Sequence, residues 1–331
     1  MDIDKIRNSA GSMKIADLKE GDQITGMVTV GEDLYMIANN SVHQIKLADS
    51  IDPKRIDPTV PNLQQKIFGK GSDSILVSRT MIFAHEICKG DVFEDSFNKE
   101  KIMNISIDLL RCVIDMDECF NIIKLYNKDA MSSVDDRRSV DLSMKLPSLG
   151  EKAINGETFF RKLSMSYLLI LRTFWAAHNK EVDKIFDRTL DFVSKNYRDD
   201  ERFIKFIQQL VEFSRMFKDW RNLIEHPKRG EYFKIIDYTY AGNNKISRPM
   251  FEVVSKKYPQ EPVDLEVNME KLIDLTISNY ESLLCFLCER KLKEIAGYTF
   301  KVMEIPLKMR RYPHVRYGIA LPTTKGPAPL G

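Results

Sequence analysis

The sequence predicts a mainly α-helical protein: an up-and-down bundle in the carboxy-terminal half, a β-hairpin inserted into it, and a smaller α+β region in front. Three observations carry this reading. After Gly150, four long stretches place apolar residues every three or four positions. One join between them holds two β-rich runs on either side of Gly242-Asn243-Asn244, a turn composition. The amino-terminal part opens with short β-rich runs broken by Gly31-Glu32-Asp33 and Asn39-Asn40.

In chain order, Ile24, Met27, Val28 and Val30, then Leu34 to Ile37, then Val42 to Ile45 predict a β-meander between Asp22 and Leu47 that forms a small antiparallel sheet. Pro53, Pro58 and Pro61 remove backbone donors and make Ile51 to Asn62 an extended connector. From Asp73 the spacing turns helical through Ile75, Leu76, Thr80, Ile82, Phe83 and Ile87, and Lys89-Gly90 supplies an end. A second helix is expected from about Lys99 to Tyr126. Its Asp115-Met116-Asp117-Glu118 reads as a solvated face, since no His or further carboxylate accompanies it at ligand spacing.

Asn127 to Gly150 is rich in Ser, Asp, Lys and Pro and marks the expected boundary. Beyond it, helices are predicted over Thr158 to His178, Val182 to Tyr197, Asp200 to His226 and Asn268 to Ala296, with the hairpin between Pro227 and Val267. After Gly297 a tail alternating apolar and basic residues suggests strands. The expected division is therefore an α+β region over 1–130, a bundle over 150–297 and a basic tail over 298–331.

Composition narrows the function classes. The 331 residues exceed the roughly 100–150 of a single core, and 43% hydrophobic with 30% charged residues is ordinary for a globular chain. Fifty Lys and Arg against 48 Asp and Glu leave +2, so a site for nucleic acid has to be local. No apolar run reaches the roughly 18 residues that span a bilayer, and Met1-Asp2-Ile3-Asp4 is no secretory leader, so a cytoplasmic protein with no membrane association is expected. Five cysteines do not form a disulfide framework. Cys285 and Cys288 lie in an apolar helical pattern with no second pair, which reads as core rather than metal site.

The third bundle helix ends in Arg221-Asn222-Leu223-Ile224-Glu225-His226, followed by Pro227. Phe203, Leu210, Phe213, Phe217, Trp220 and Ile224 define its buried stripe, with Arg221 and Asn222 beside it. Residues five apart diverge by about 140° on a helix. Because Pro227 pushes its predecessor out of the α region, His226 is expected to end the helix and turn back toward Arg221. A permanent planar cation, an imidazole and an orienting amide are parts of a phosphodiester-cleaving site. RNA brings its own 2′-hydroxyl nucleophile, so such a site needs no metal-bound water, and no His/Cys/Asp cluster is visible to hold a metal. The same residues also suit an i,i+4 Arg221–Glu225 pair with His226 closing a helix end.

This stretch resembles the R-X4-6-H motif of HEPN domains, in which a polar residue often follows the Arg. The resemblance covers roughly the carboxy-terminal half. It implies a HEPN-like helical bundle that forms a homodimer, and a metal-independent endoribonuclease of toxin–antitoxin or antiviral defence systems, requiring no cofactor. It also implies a composite site in which Arg221 binds phosphate, His226 acts as general acid/base and Asn222 positions, with RNA as substrate and an antitoxin or defence protein as a further partner. The chain departs from members controlled by nucleotidyltransferase antitoxins, which often carry Tyr after the motif His; Pro227-Lys228 stands there. A HEPN-like scaffold that binds nucleotide, RNA or protein without cleavage is the alternative.

Arg215, Lys218, Lys228 and Arg229 add charge around the motif that would favour a polyanion. The tail adds Lys301, Lys308, Arg310, Arg311, Arg316 and Lys325 against Glu304, with Tyr312 and Tyr317 interleaved, which suits either single-stranded RNA or a charge-guarded edge strand. His43, His85 and His178 have no partner at catalytic spacing.

Overall fold

The computed structural model describes residue 15 and residues 17–132, 145–242, 245–323 and 326–329. The amino terminus Met1 to Asp4, residues 133–144 of the expected boundary, Asn243-Asn244 of the expected turn and Lys325 of the tail lie outside the described residues. About half the chain is helical and 21% is strand, in small antiparallel sheets. It divides into two compact units, Met1–Ile107 with Leu287–Gly331, and Asp108–Phe286. These limits differ from the expected 130, 150 and 297. Both junctions fall inside long helices, α4 (Lys99–Ser132) and α8 (Leu265–Lys291), where no Gly, Pro or change of polarity marks the sequence.

In the first unit the meander is present as β1 (Ile24–Val30), β2 (Asp33–Ala38) and β3 (Val42–Lys46), paired in sequence order. Val30 pairs with Asp33 across a tight turn in which Gly31 takes φ +59°. A fourth strand, β4 (Leu63–Phe68), extends the sheet beyond the proline connector. Its run Gln64-Gln65-Lys66 has too little apolar alternation to have announced it. A short α1 (Ala48–Ile51) precedes it.

The expected helix after Asp73 is a composite of α2 (Ile75–Val77), a π-helical turn (Ser78–Ile82) and α3 (Phe83–Ile87). Gly90 at φ +73° lies just beyond its end. The tail forms β10 (Lys301–Glu304), a 3₁₀ turn (Leu307–Met309), β11 (Tyr317–Thr323) and β12 (Gly326–Pro329), in the order β10-β11-β12. Arg311 Nη2 and Tyr312 Oη both donate to the Thr25 carbonyl, at 3.1 and 2.9 Å, tying the tail to β1.

The second unit contains α5 (Ala153–Ala176), α6 (Ile185–Asn196) and α7 (Glu201–Glu225). Asp200 caps α7 by accepting from the Phe203 amide at 3.0 Å. The interior is aromatic: Phe160 on α5 meets Phe233, Phe251 and Trp220 at centroid separations of 4.9, 4.6 and 5.8 Å, and Tyr167 meets Phe217 at 4.8 Å.

The inserted hairpin is larger than expected. β5 (Tyr232–Ile236) pairs with β8 (Met250–Val254), and β8 pairs with β9 (Gln260–Asp264). The turn region forms a separate two-stranded ribbon, β6 (Thr239–Gly242) with β7 (Lys245–Ser247). The strand expected to run unbroken from Tyr232 to Tyr240 stops at Ile236, because the next residue, Asp237, is held by other partners: it accepts from Ser148 Oγ and from the Leu149 amide. Among the described residues no helix is long and apolar enough to cross a membrane. Cys288 is fully buried on α8, and none of the five cysteines forms a disulfide.

At Gly71 backbone packs closely on backbone. A Cβ there would lie 2.0 Å from the Ala38 carbonyl oxygen and 2.5 Å from the Ser41 amide, and the next two amides donate to Ala38 and Asn39 at 2.9 and 3.0 Å. No side-chain rotation relieves such a clash. Gly71→Ala is expected to destabilise the first unit by about 2 kcal/mol or more, the scale of an overpacked interior, measured as a shift in the urea unfolding midpoint; a midpoint within error of the wild type would contradict the close approach.

Candidate functional site

The Arg221–His226 stretch occupies the last turn of α7. The helical hydrogen bond from the His226 amide to the Asn222 carbonyl persists at 2.8 Å, and His226 then leaves the helical region at φ −139°, ψ 71°, as a residue before proline should. Beyond Pro227 the chain reverses in a tight turn in which the Glu231 amide donates to Lys228 O at 3.1 Å and Gly230 takes φ +79°. Lys228 and Arg229 are carried on this exposed turn.

Trp220 anchors the segment. It is buried, and its indole N–H donates to the Tyr258 carbonyl at 2.9 Å. Asp219 accepts from Ser255 Oγ at 2.7 Å. Together they fasten this end of α7 to the β8–β9 connection. The adjacent Arg221 and the exposed His226 remain accessible, with the Arg221 side chain 42% exposed.

Arg221 and its neighbour Lys218 line a cleft of about 610 Å³. Arg161 and Lys162 from α5 and Lys184 from just ahead of α6 also line it, so among the described lining residues five cations face one carboxylate, Glu225. Apolar Met165, Leu168, Ile185 and Phe186 form part of its wall. Three cations have acidic partners: Arg221 Nη2 is 2.9 Å from Glu225, Arg161 Nη2 is 3.1 Å from Glu157, and Lys162 Nζ is 2.6 Å from Asp115. The Asp115 contact raises the Lys162 pKa, so its charge is held. Among the described residues Lys184 and Lys218 have no acidic partner; the Lys218 ammonium sits 5.2 Å from the centre of the Phe186 ring. Burial raises the pKa of Cys112, which also lines the cleft, so its thiol stays protonated and is no nucleophile.

The structure therefore brings together only part of the predicted set. Arg221 and Lys218 share the cleft. Asn222, His226, Lys228 and Arg229 do not line it, and Arg215 is paired with Asp187. No hydrogen bond joins His226 to Arg221, which pairs with Glu225. Sequence reasoning missed Arg161, Lys162 and Lys184. The first two sit beside an apolar helical stripe and read as its solvated border; Lys184 carries the signal of a basic residue just ahead of a helix, where it adopts φ +51°.

Compared with family models, curated proteins and solved structures, the chain matches none.

Because the Arg221–Glu225 pair is half exposed, it is expected to contribute less than about 1 kcal/mol to stability. Glu225→Gln should leave the thermal midpoint nearly unchanged while removing the only acid among the described residues of the cleft wall. Binding of a single-stranded oligonucleotide, followed by fluorescence anisotropy, should tighten severalfold at low salt and lose that gain as salt rises. Unchanged affinity would show that the cleft does not meet polyanions.

Proposed function

We propose that the chain is a metal-independent, HEPN-type endoribonuclease acting in a toxin or anti-phage defence setting, with Arg221, His226 and Asn222 as its working residues. The observation that carries this reading is the exposure of both ionic members of the motif at one firmly anchored helix end: an accessible Arg221 on the wall of a cation-rich cleft, and an exposed His226 whose ring has no hydrogen-bonding partner among the described residues.

In this reading the RNA backbone lies along the cleft cations, and Arg221 exchanges Glu225 for a phosphate oxygen, a stronger and bidentate-capable partner. His226 removes the proton of the 2′-hydroxyl. The freed oxygen attacks the adjacent phosphorus, the P–O5′ bond breaks, and the leaving oxygen is protonated, yielding a 2′,3′-cyclic phosphate and a 5′-hydroxyl end. Since one protomer does not set His226 in the cleft with Arg221, the site is completed by a second copy that brings its own helix end to the first.

A second reading, a scaffold that binds RNA or a nucleotide without cutting it, is favoured by the neutralised state of Arg221 and by the position of His226 off the cleft wall.

Two measurements separate the readings. Sedimentation at micromolar concentration should give about twice the 38.4 kDa chain mass; a strict monomer defeats the composite site. Cleavage of single-stranded RNA should persist in excess EDTA, leave cyclic phosphate ends and spare an all-2′-deoxy substrate. Arg221→Ala and His226→Ala should each lower the rate by roughly a hundredfold or more. Equal and negligible rates for wild type and His226→Ala would leave only the scaffold.

A further inference from the structure

The cation-rich cleft of the second unit carries more than charge. Its apolar lining and one buried hydroxyl have no part in gripping a phosphodiester backbone, yet they stand on the same wall. At about 610 Å³ the cleft falls within the roughly 300–1,000 Å³ of sites that enclose a small organic group.

On α5, Ser164 and Met165, with Leu168 one turn on, share one strip of the helix along the cleft. Met165 is 44% exposed, a large apolar side chain left in water on a concave wall. Ile185 and Phe186 at the start of α6 add a half-buried aliphatic and aromatic surface. Ser164 is 7% exposed, and its hydroxyl has no hydrogen-bonding partner among the described residues. A helical serine ordinarily bonds back to the carbonyl four residues earlier, as Ser214, also on the wall, does to Leu210 O at 2.7 Å. A buried hydroxyl without a partner costs stability that a group entering the cleft restores.

Three of the cleft cations are already compensated: Arg161 by Glu157, Lys162 by Asp115 and Arg221 by Glu225. Lys184 and Lys218 have no acidic partner among the described residues. Lys218 instead rests its ammonium 5.2 Å from the centre of the Phe186 ring. That contact is weaker than a charge-assisted hydrogen bond to a phosphate oxygen, so a phosphate draws the ammonium off the ring and opens its face. A cation for phosphate and an aromatic platform thus lie within the span of one nucleotide.

We propose that the cleft takes one unpaired nucleobase of a single-stranded RNA, stacked on Phe186 and packed against Met165 and Leu168, with Ser164 bonded to its edge and Lys184 and Lys218 on the adjoining phosphate. Bases in a duplex are paired and stacked, so this subsite admits a strand whose bases are free to turn out. The subsite rests on the reading of the cleft as the place where RNA meets the chain, and it does not require that the RNA be cut.

The test is fluorescence anisotropy of the full chain with two octamers of 2′-deoxy sugars, which 2′-hydroxyl attack cannot cleave: an oligoadenylate, and an all-abasic strand of the same length and charge. The oligoadenylate is expected to bind at least fivefold more tightly, the lower end of the gain from one base on an aromatic side chain. Phe186→Ala should erase that preference without changing the affinity for the abasic strand. Ser164→Ala should reduce the preference, and Lys271→Gln, on α8, should alter neither affinity. Phe186→Leu keeps the apolar bulk and loses the ring, and it takes the place of Phe186→Ala should that variant not fold. Equal binding of the two strands by the wild type, or a preference that survives the Phe186 variants, overturns the subsite and leaves a groove that meets charge alone. Binding of neither strand overturns it together with the RNA reading. A base preference that follows Phe186 in a chain that cuts no RNA upholds the subsite and removes only the nuclease.

Discussion

The ring of Phe160 touches Trp220 on α7, Phe233 on β5 and Phe251 on β8, so a single side chain from α5 joins the motif-bearing helix to two strands of the inserted sheet. Trp220 completes the arrangement with its own contacts to Phe217 and Phe251 and its hydrogen bond to Tyr258 O. These contacts fix where α7 ends. A helix terminus in solvent ordinarily frays through its last turn, yet here the residue just before Arg221 is buried and bonded. The β-insertion is therefore a brace, and the orientation of Arg221, Glu225 and His226 depends on it.

That brace also bears on why Arg221 and Glu225 line the cleft and His226 does not. With Trp220 facing the interior, Arg221 is turned toward the side where α5 and the start of α6 contribute their cations, and Glu225, one turn later, follows it. His226 comes a further residue on and leaves with the chain toward Pro227.

Much of this was legible in the sequence and some was not, for identifiable reasons. The helix spacing, the meander turns at Gly31 and Asn39-Asn40, and the end of α7 at Pro227 are local signals, and the structure contains all of them. β4 was missed because its identity as a strand comes from pairing with β3 and not from its own polar residues. The π-helical turn leaves no trace in periodicity, since one added residue in a buried run looks like ordinary apolar sequence. The cleft wall depends on long-range contacts: Arg161, Lys184 and Lys218 come to line one cleft only through helix packing. At the end of α7, the Arg221–Glu225 pair could be read from i,i+4 spacing and the helix end at His226 from Pro227, whereas the position of His226 off the cleft wall could not be read.

The distribution of tryptophan has an optical consequence. The chain contains two, Trp175 and Trp220, both in the unit drawn from Asp108–Phe286 and both buried, one hydrogen-bonded to Thr189 and the other to the Tyr258 carbonyl. Indole emission thus reports on that unit alone, whereas circular dichroism sums over the helices and strands of the whole chain. Fluorescence follows one unit and circular dichroism both, so any separation between their melting curves reads how far the units unfold apart.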